Sequence, residues 1–176
     1  SSGLDSDAQY NTVGGTNAGD SFTGTDATNN TLIGYNAGTA ITTGDTNTAV
    51  GYTAGEKITT GGYNTAIGQN SLGETTTGTY NIGIGNNAGH FVNGHHNISL
   101  GSNALGAGSN TASWNVSIGL NSCAALTTGA SNVAIGKEAL YSNTTAASNI
   151  AIGDQALKAS TTGAYNVAIG SSSLFE

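Results

Sequence analysis

The sequence predicts an all-β fold, a β-solenoid of about ten 17-residue coils. Three observations predict it: one short unit recurs almost from end to end, each unit opens with residues alternating at period two, and a glycine holds a fixed place in every unit. The unit is Asn, three residues, Gly, two residues, then Ala or Ser. Its asparagines are Asn11, Asn30, Asn47, Asn64, Asn81, Asn97, Asn115, Asn132, Asn149 and Asn166, each followed four places later by Gly15, Gly34, Gly51, Gly68, Gly85, Gly101, Gly119, Gly136, Gly153 or Gly170. Most successive glycines lie 17 residues apart, and the exceptions (19, 16 and 18) arise in the stretch after the small residue, where a loop tolerates them.

The opening segments, such as NTAIG at 64–68 and NIAIG at 149–153, set β-branched residues on either side of a small one, which is strand patterning. Seventeen residues with a central glycine and a Gly/Thr/Ser end are too few for a helix pair and fit two short strands and two turns. Stacking such coils pairs each strand with its copies above and below, satisfying backbone groups that a lone coil leaves open. At a strand spacing of roughly 4.8 Å, ten coils give a rod about 45 Å long.

Each fixed position then becomes a ladder. The fifth-position glycine implies a bend with no room for a Cβ, or a positive φ. The asparagines either bond amide to amide between coils or take the left-handed conformation at a corner. The fourth position, Ile33, Val50, Ile67, Ile84, Leu100, Ile118, Ile135, Ile152 and Ile169, is expected to be the core stripe. A second core volume is filled from either of two places. Where the ninth position is Gly (Gly19, Gly38, Gly55, Gly89), an apolar residue follows three places later (Phe22, Ile41, Ile58, Val92); where it is Leu72, Leu105, Leu140, Leu157 or Leu174, that residue is usually missing. Cys123, at the ninth place beside Leu126, reads as a small buried hydrophobe.

Composition narrows the function. Leu, Ile, Val and Phe make up less than a fifth of the 176 residues, there is no proline or arginine, and the net charge is -7. So thin a core argues that a second face, around Thr65, Ala66 and Ser71, packs on neighbouring chains, and small residues there allow close approach. An acidic chain whose cations are Lys57, Lys137 and Lys158 cannot build a groove for nucleic acid. No apolar run approaches the roughly 20 residues that span a bilayer, so no membrane insertion by this segment is expected. The N-terminus lacks signal-peptide features. Residues 1–9 read as an N-terminal extension or expression remnant, and 10–176 as the solenoid domain.

Units such as NTAIGQNSL, NVAIGKEAL and NIAIGDQAL, joined by TTG turns, resemble the head repeats of YadA-like trimeric autotransporter adhesins and the repeat regions of phage tail fibres. The resemblance covers residues 10 to 176. It implies a left-handed parallel β-roll, a homotrimer, and a place on a bacterial cell surface or a virion tail fibre, attaching to a host glycan or protein receptor. It differs from that family in its 17-residue coil and in lacking a neck, heptad stalk and membrane anchor.

Among chemistry-bearing motifs, residues 83–88 match a dinucleotide fingerprint, but the match is one copy of the repeat and lacks the following helix, so no cofactor is expected. A calcium-binding nonapeptide roll needs an Asp in every turn, which most coils lack. His90, His95 and His96 cluster in the fifth coil as weak metal candidates with no Cys or carboxylate beside them. Asn97 and Asn115 start Asn-x-Ser sequons but are repeat positions. No nucleophile or acid–base arrangement stands out from the repeat, so the chain is not expected to be an enzyme. The binding candidates are Tyr63, Tyr80, His96 and Trp114, which immediately precede the repeat asparagine in four consecutive coils, with Tyr10 and Tyr165 at the same place elsewhere. Aromatic faces exposed in a row suit sugar rings; the alternative is that the rings stack on one another or seal a joint between chains. Paired threonines (Thr42-Thr43, Thr59-Thr60, Thr76-Thr77, Thr127-Thr128, Thr144-Thr145, Thr161-Thr162) resemble an ice-binding array, yet the array breaks in coils five and six. A purely structural fibre spacer is the other alternative. The irregular central coils, four to six, with Phe91 and all three histidines, are where a ligand contact is expected.

Overall fold

A computed structural model describes residues 5–22, 26–106 and 110–175 of the chain. Eleven short strands form one sheet: β1 (Asp5–Ser6), β2 (Thr12–Gly14), β3 (Thr31–Ile33), β4 (Thr48–Val50), β5 (Thr65–Ile67), β6 (Ile82–Ile84), β7 (Ile98–Leu100), β8 (Val116–Ile118), β9 (Val133–Ile135), β10 (Ile150–Ile152) and β11 (Val167–Ile169). Their order in the sheet is their order in the chain. From β2 to β11 all neighbours are parallel and pair at identical repeat positions, as with Ala66 opposite Gly83 and Ala134 opposite Ala151. The fold is therefore a parallel β-solenoid of about nine turns with no helix among the described residues.

Each coil contributes one strand of three residues where the sequence suggests two. The rest of the coil turns through residues of positive φ at the seventh, ninth and last places (Asn70 +55°, Leu72 +48° and Tyr80 +57° in one coil), which cannot continue a strand. Those sides are still tied coil to coil by backbone bonds, such as Gly55 N–H to the Ser71 carbonyl (2.9 Å) and Lys57 N–H to Gly73 (3.0 Å).

The asparagines form the amide ladder and not the left-handed corner. In coil three, Asn47 donates its N–H (2.8 Å) and its side-chain NH2 (3.1 Å) to the Asn30 Oδ1 below, and the same NH2 donates to the Gly61 carbonyl above (2.9 Å). All but the terminal rung are buried. The glycine ladder meets both of its demands: φ lies between +121° and +141°, and a Cβ on Gly68 would stand 2.7 Å from the Gly85 carbonyl oxygen.

Which face of the strand looks inward corrects the expectation. The third position is buried, whether small (Ala49, Ala66, Ser99, Ser117, Ala134, Ala151) or, in one coil, Leu32, while the fourth-position Ile and Val face out; Ile67, Ile84 and Ile135 are 36–40% exposed. Likewise Ala66 and Ser71, expected on an outer packing face, are buried, and only Thr65 of that group is on the outside. The cause is volume. Opposite the strand the interior already holds the large residue from the ninth or twelfth place, along with Ala37, Ala54, Ala88, Ala104 or their counterparts, so a small side chain fills the remaining room in most coils, with Leu32, beside Gly38, the exception.

The two-place filling of that volume is what the structure contains. Leu72, Leu105 and Leu140 from the ninth place, and Ile41, Ile58, Val92 and Leu126 from the twelfth, are all fully buried. A Cβ on Gly55 would lie 2.9 Å from the Ile58 Cδ1, so both cannot be large in one coil. Leu72 itself has φ +48°, so a leucine can occupy the ninth place. Gly55→Leu should therefore destabilise by about 1–3 kcal/mol through overpacking, and Ile58→Thr by about 2 kcal/mol or more through a cavity. The double variant, which copies the Leu72/Thr75 arrangement, should lie within about 1 kcal/mol of the parent in denaturant unfolding. Additive losses would show that the two places do not share one volume.

Candidate binding surface

The residue before each repeat asparagine occupies a corner of the coil with φ between +57° and +63° whatever its type, from Ser131 and Ser148 to Tyr63 and Trp114. For bulky residues this conformation costs on the order of 1–2 kcal/mol. Bonds to the coil below hold it: Tyr63 N–H to the Asp45 carbonyl (2.9 Å), Tyr80 to Gly62 (3.1 Å), His96 to Thr79 (3.1 Å) and Trp114 to His95 (3.0 Å). The buried asparagine that follows anchors the other side.

This corner brings Tyr63, Tyr80, His96 and Trp114 into one continuous stack. Successive ring centroids are 4.7, 4.9 and 6.0 Å apart and the planes agree within 4–6°. Coil spacing and ring-stacking distance coincide, so each aromatic pair contributes about 0.5–1.5 kcal/mol beyond its burial and repays part of the backbone strain. Because the rings stack along the rod, their inner faces cover one another and the surface shows a row of ring edges, not the expected row of faces. The faces left free are those at the two ends, Tyr63 toward Thr46 and Trp114 toward Ser131. Tyr10 and Tyr165 share the column but stand apart from the stack, separated from it by Asn29 and Thr46 at one end and by Ser131 and Ser148 at the other.

The three histidines have separate surroundings. His96 is inside the stack. His95 Nδ1 faces the Thr79 hydroxyl at 2.8 Å and lies 3.2 Å from the Thr79 N–H. His90 packs edge-on to Phe91 at 4.4 Å; partial burial lowers its pKa, opposed by the nearby Glu74 carboxylate. Among the described residues no group of three His, Cys, Asp or Glu side chains is placed to hold a metal ion.

A second, exposed aromatic pair lies outside the column of rings that precede the repeat asparagines. Tyr35 and Tyr52, each directly after the fifth-position glycine, stack at 5.3 Å with planes 9° apart. Two tyrosines 17 residues apart at one repeat position carried the signal. The threonine pairs divide their roles. The first hydroxyl bonds the next coil's carbonyl, as in Thr59 to Thr76 (3.2 Å) and Thr127 to Thr144 (3.0 Å), while the second (Thr43, Thr60, Thr77, Thr128) is exposed.

Cys123 lies fully buried at the ninth place with its thiol pushed up to about 12, because burial disfavours the thiolate more than the Ser117 hydroxyl helps it. It should resist iodoacetamide at neutral pH in the folded protein and react fully once denaturant is added, as mass spectrometry would show; rapid labelling of the native chain would place the thiol at the surface. Compared with known proteins, the chain matches no family model, no curated protein and no solved structure.

Proposed function

We propose that the chain is a segment of a homotrimeric surface-attachment fibre, an adhesin head or a phage tail fibre, wound as a left-handed β-roll. In this reading it stands on a bacterial cell surface or a virion and binds a host glycan or protein receptor. The observation that carries the proposal is the outward face of the sheet. Two columns project from it, the second and fourth positions of every repeat unit. The fourth is Ile, Val or Leu from β3 to β11, and the second changes from Thr (Thr31, Thr48, Thr65) to Ile or Val from β6 onward (Ile82, Ile98, Val116, Val133, Ile150, Val167). A three-residue strand about 10 Å wide repeated along a 45 Å rod makes a flat apolar strip on the order of 450 Å². On a free monomer a strip of that size is at the upper end of what solution tolerates, and neighbouring copies of the same strip are its natural cover.

Sedimentation equilibrium should give three times the chain mass. Replacing Ile84 and Ile135 with Asp puts charges in the strip without touching the buried third positions. The variant should keep its β circular dichroism and sediment as a monomer. A wild-type monomer, or a trimer indifferent to both charges, would remove the ground for this assembly.

Receptor contact is assigned to the central coils, where the aromatic stack, the histidines and the irregular loops coincide. Trp114→Ala combined with Tyr80→Ala should lower retention on a glycan array or on host cells at least tenfold with the trimer mass unchanged, while the loss of the three ring pairs lowers the melting temperature. Dissociation into monomers would identify the rings as packing between chains. Unchanged binding by an intact trimer would favour the spacer reading, which the mutual covering of the ring faces already supports.

A further inference from the structure

Of the asparagines in the chain, Asn93 alone is followed by glycine. The ladder asparagines are each followed by threonine, isoleucine or valine, whose branched Cβ crowds the next peptide, and the seventh-place asparagines by alanine or serine. Asn93 and Gly94 lie in the 16-residue coil between Gly85 and Gly101. Backbone groups on both sides of the peptide that joins them are held: Asn93 N–H donates to the Asn110 carbonyl (2.7 Å), and the Gly94 carbonyl accepts from the Asn81 side-chain NH2 (2.8 Å). The Gly94 N–H itself has no acceptor among the described residues. Gly44 and Gly61, at the same place three residues before the next asparagine, donate theirs to the Thr59 and Thr76 carbonyls (3.2 and 3.3 Å).

The Asn93 side chain meets a cluster of donors. Its Oδ1 accepts from the Thr76 N–H (2.7 Å), the Thr76 hydroxyl (2.8 Å) and the Thr77 N–H (3.4 Å). A backbone N–H can only donate, which identifies the oxygen of the amide. At the equivalent place, the Thr42 and Thr59 hydroxyls bond backbone carbonyls instead (3.3 and 3.2 Å).

We propose that Asn93–Gly94 is a self-modifying site, where the asparagine amide becomes a carboxylate through a succinimide and Thr76 and Thr77 stabilise the oxyanion of that reaction. The Gly94 nitrogen gives its proton to water or hydroxide and bonds to Asn93 Cγ, closing a five-membered ring. Negative charge then collects on Oδ1, where the three donors already point. As the tetrahedral centre collapses, the Cγ–Nδ2 bond breaks and Nδ2 takes up a proton and leaves as ammonia. Water next adds to a ring carbonyl and breaks its bond to the Gly94 nitrogen, giving aspartate from Cγ or isoaspartate from the main-chain carbon. Packing supplies the unhindered nucleophile: a Cβ on Gly94 would stand 1.8 Å from the Ala112 carbonyl oxygen, so the crowding that demands glycine also removes the side chain that would impede attack. The aspartate product keeps the acceptor that Thr76 and Thr77 require, and it adds a negative charge two residues from His95. None of this depends on the fibre reading.

The test incubates the full chain in warm, mildly alkaline buffer and follows each asparagine by peptide mass spectrometry. Asn93 should gain the acid form roughly tenfold faster than any other asparagine. Hydroxylamine, which cleaves at a succinimide, should cut the chain between Asn93 and Gly94, and Asn93→Gln should abolish the cut. Thr76→Val removes the hydroxyl donor and keeps the branched shape; with its β circular dichroism retained, it should convert about fivefold more slowly, and Thr76→Ser should restore the parent rate. A comparison that needs no variant is the parent chain in urea, where the donors are dispersed; the native rate should exceed the unfolded one. Slower conversion in the native chain than in urea, or faster conversion in folded Thr76→Val, would show that the threonine bonds lock the amide and protect it. Equal rates in folded Thr76→Val and the parent would show that the hydroxyl takes no part. Each of these results overturns the proposal.

Discussion

The asparagine ladder is the interaction on which the remainder of the structure depends. One side-chain amide per coil accepts from the coil above and donates to the coils on both sides, in a buried row where an unmade bond costs about 1–3 kcal/mol. No shorter or longer side chain reaches all three partners, and the carbonyl it captures belongs to the residue three places before the next asparagine. The ladder fixes axial register and coil cross-section together. Parallel pairing of strands only three residues long could slip without it, since their outer faces are chemically monotonous.

With register fixed, strain becomes sustainable. Each coil turns through four positive-φ positions, only some of them glycine or asparagine, and a single coil could not hold them. Stacked, each strained residue is clamped by backbone bonds to its copies, and the aromatic column adds ring stacking at the same spacing. The exposed corner is therefore rigid, so side chains there are presented in one arrangement and lose little freedom on meeting a partner.

What could be read from the sequence was whatever depended on identity at a fixed spacing: the period, the two ladders, the sheared placement of large residues between the ninth and twelfth places, and the column of Tyr63, Tyr80, His96 and Trp114. What could not be read depended on direction. Period two says that neighbouring positions face opposite ways, and size suggested that Ile67 rather than Ala66 faces inward; the occupied interior reverses this. The corner conformation was hidden for a related reason, because Tyr, His and Trp rarely adopt it, and it follows only from their place beside the asparagine. The seventh-place asparagines (Asn17, Asn36, Asn70, Asn87, Asn103, Asn121), which the reading of the repeat passed over, take the left-handed turn that accounts for the missing second strand.

The interchangeable core of the coil has a consequence for the gene. Because a leucine at one place and an isoleucine or valine three residues later fill the same space, a coil of either kind stacks on a coil of either kind, as Ile58 beneath Leu72 and Leu72 beneath Val92 already do. Duplication or loss of a whole coil then leaves every junction chemically familiar. Length becomes a heritable quantity that changes in steps of roughly 4.8 Å, adjustable by recombination between near-identical units without any search for new packing.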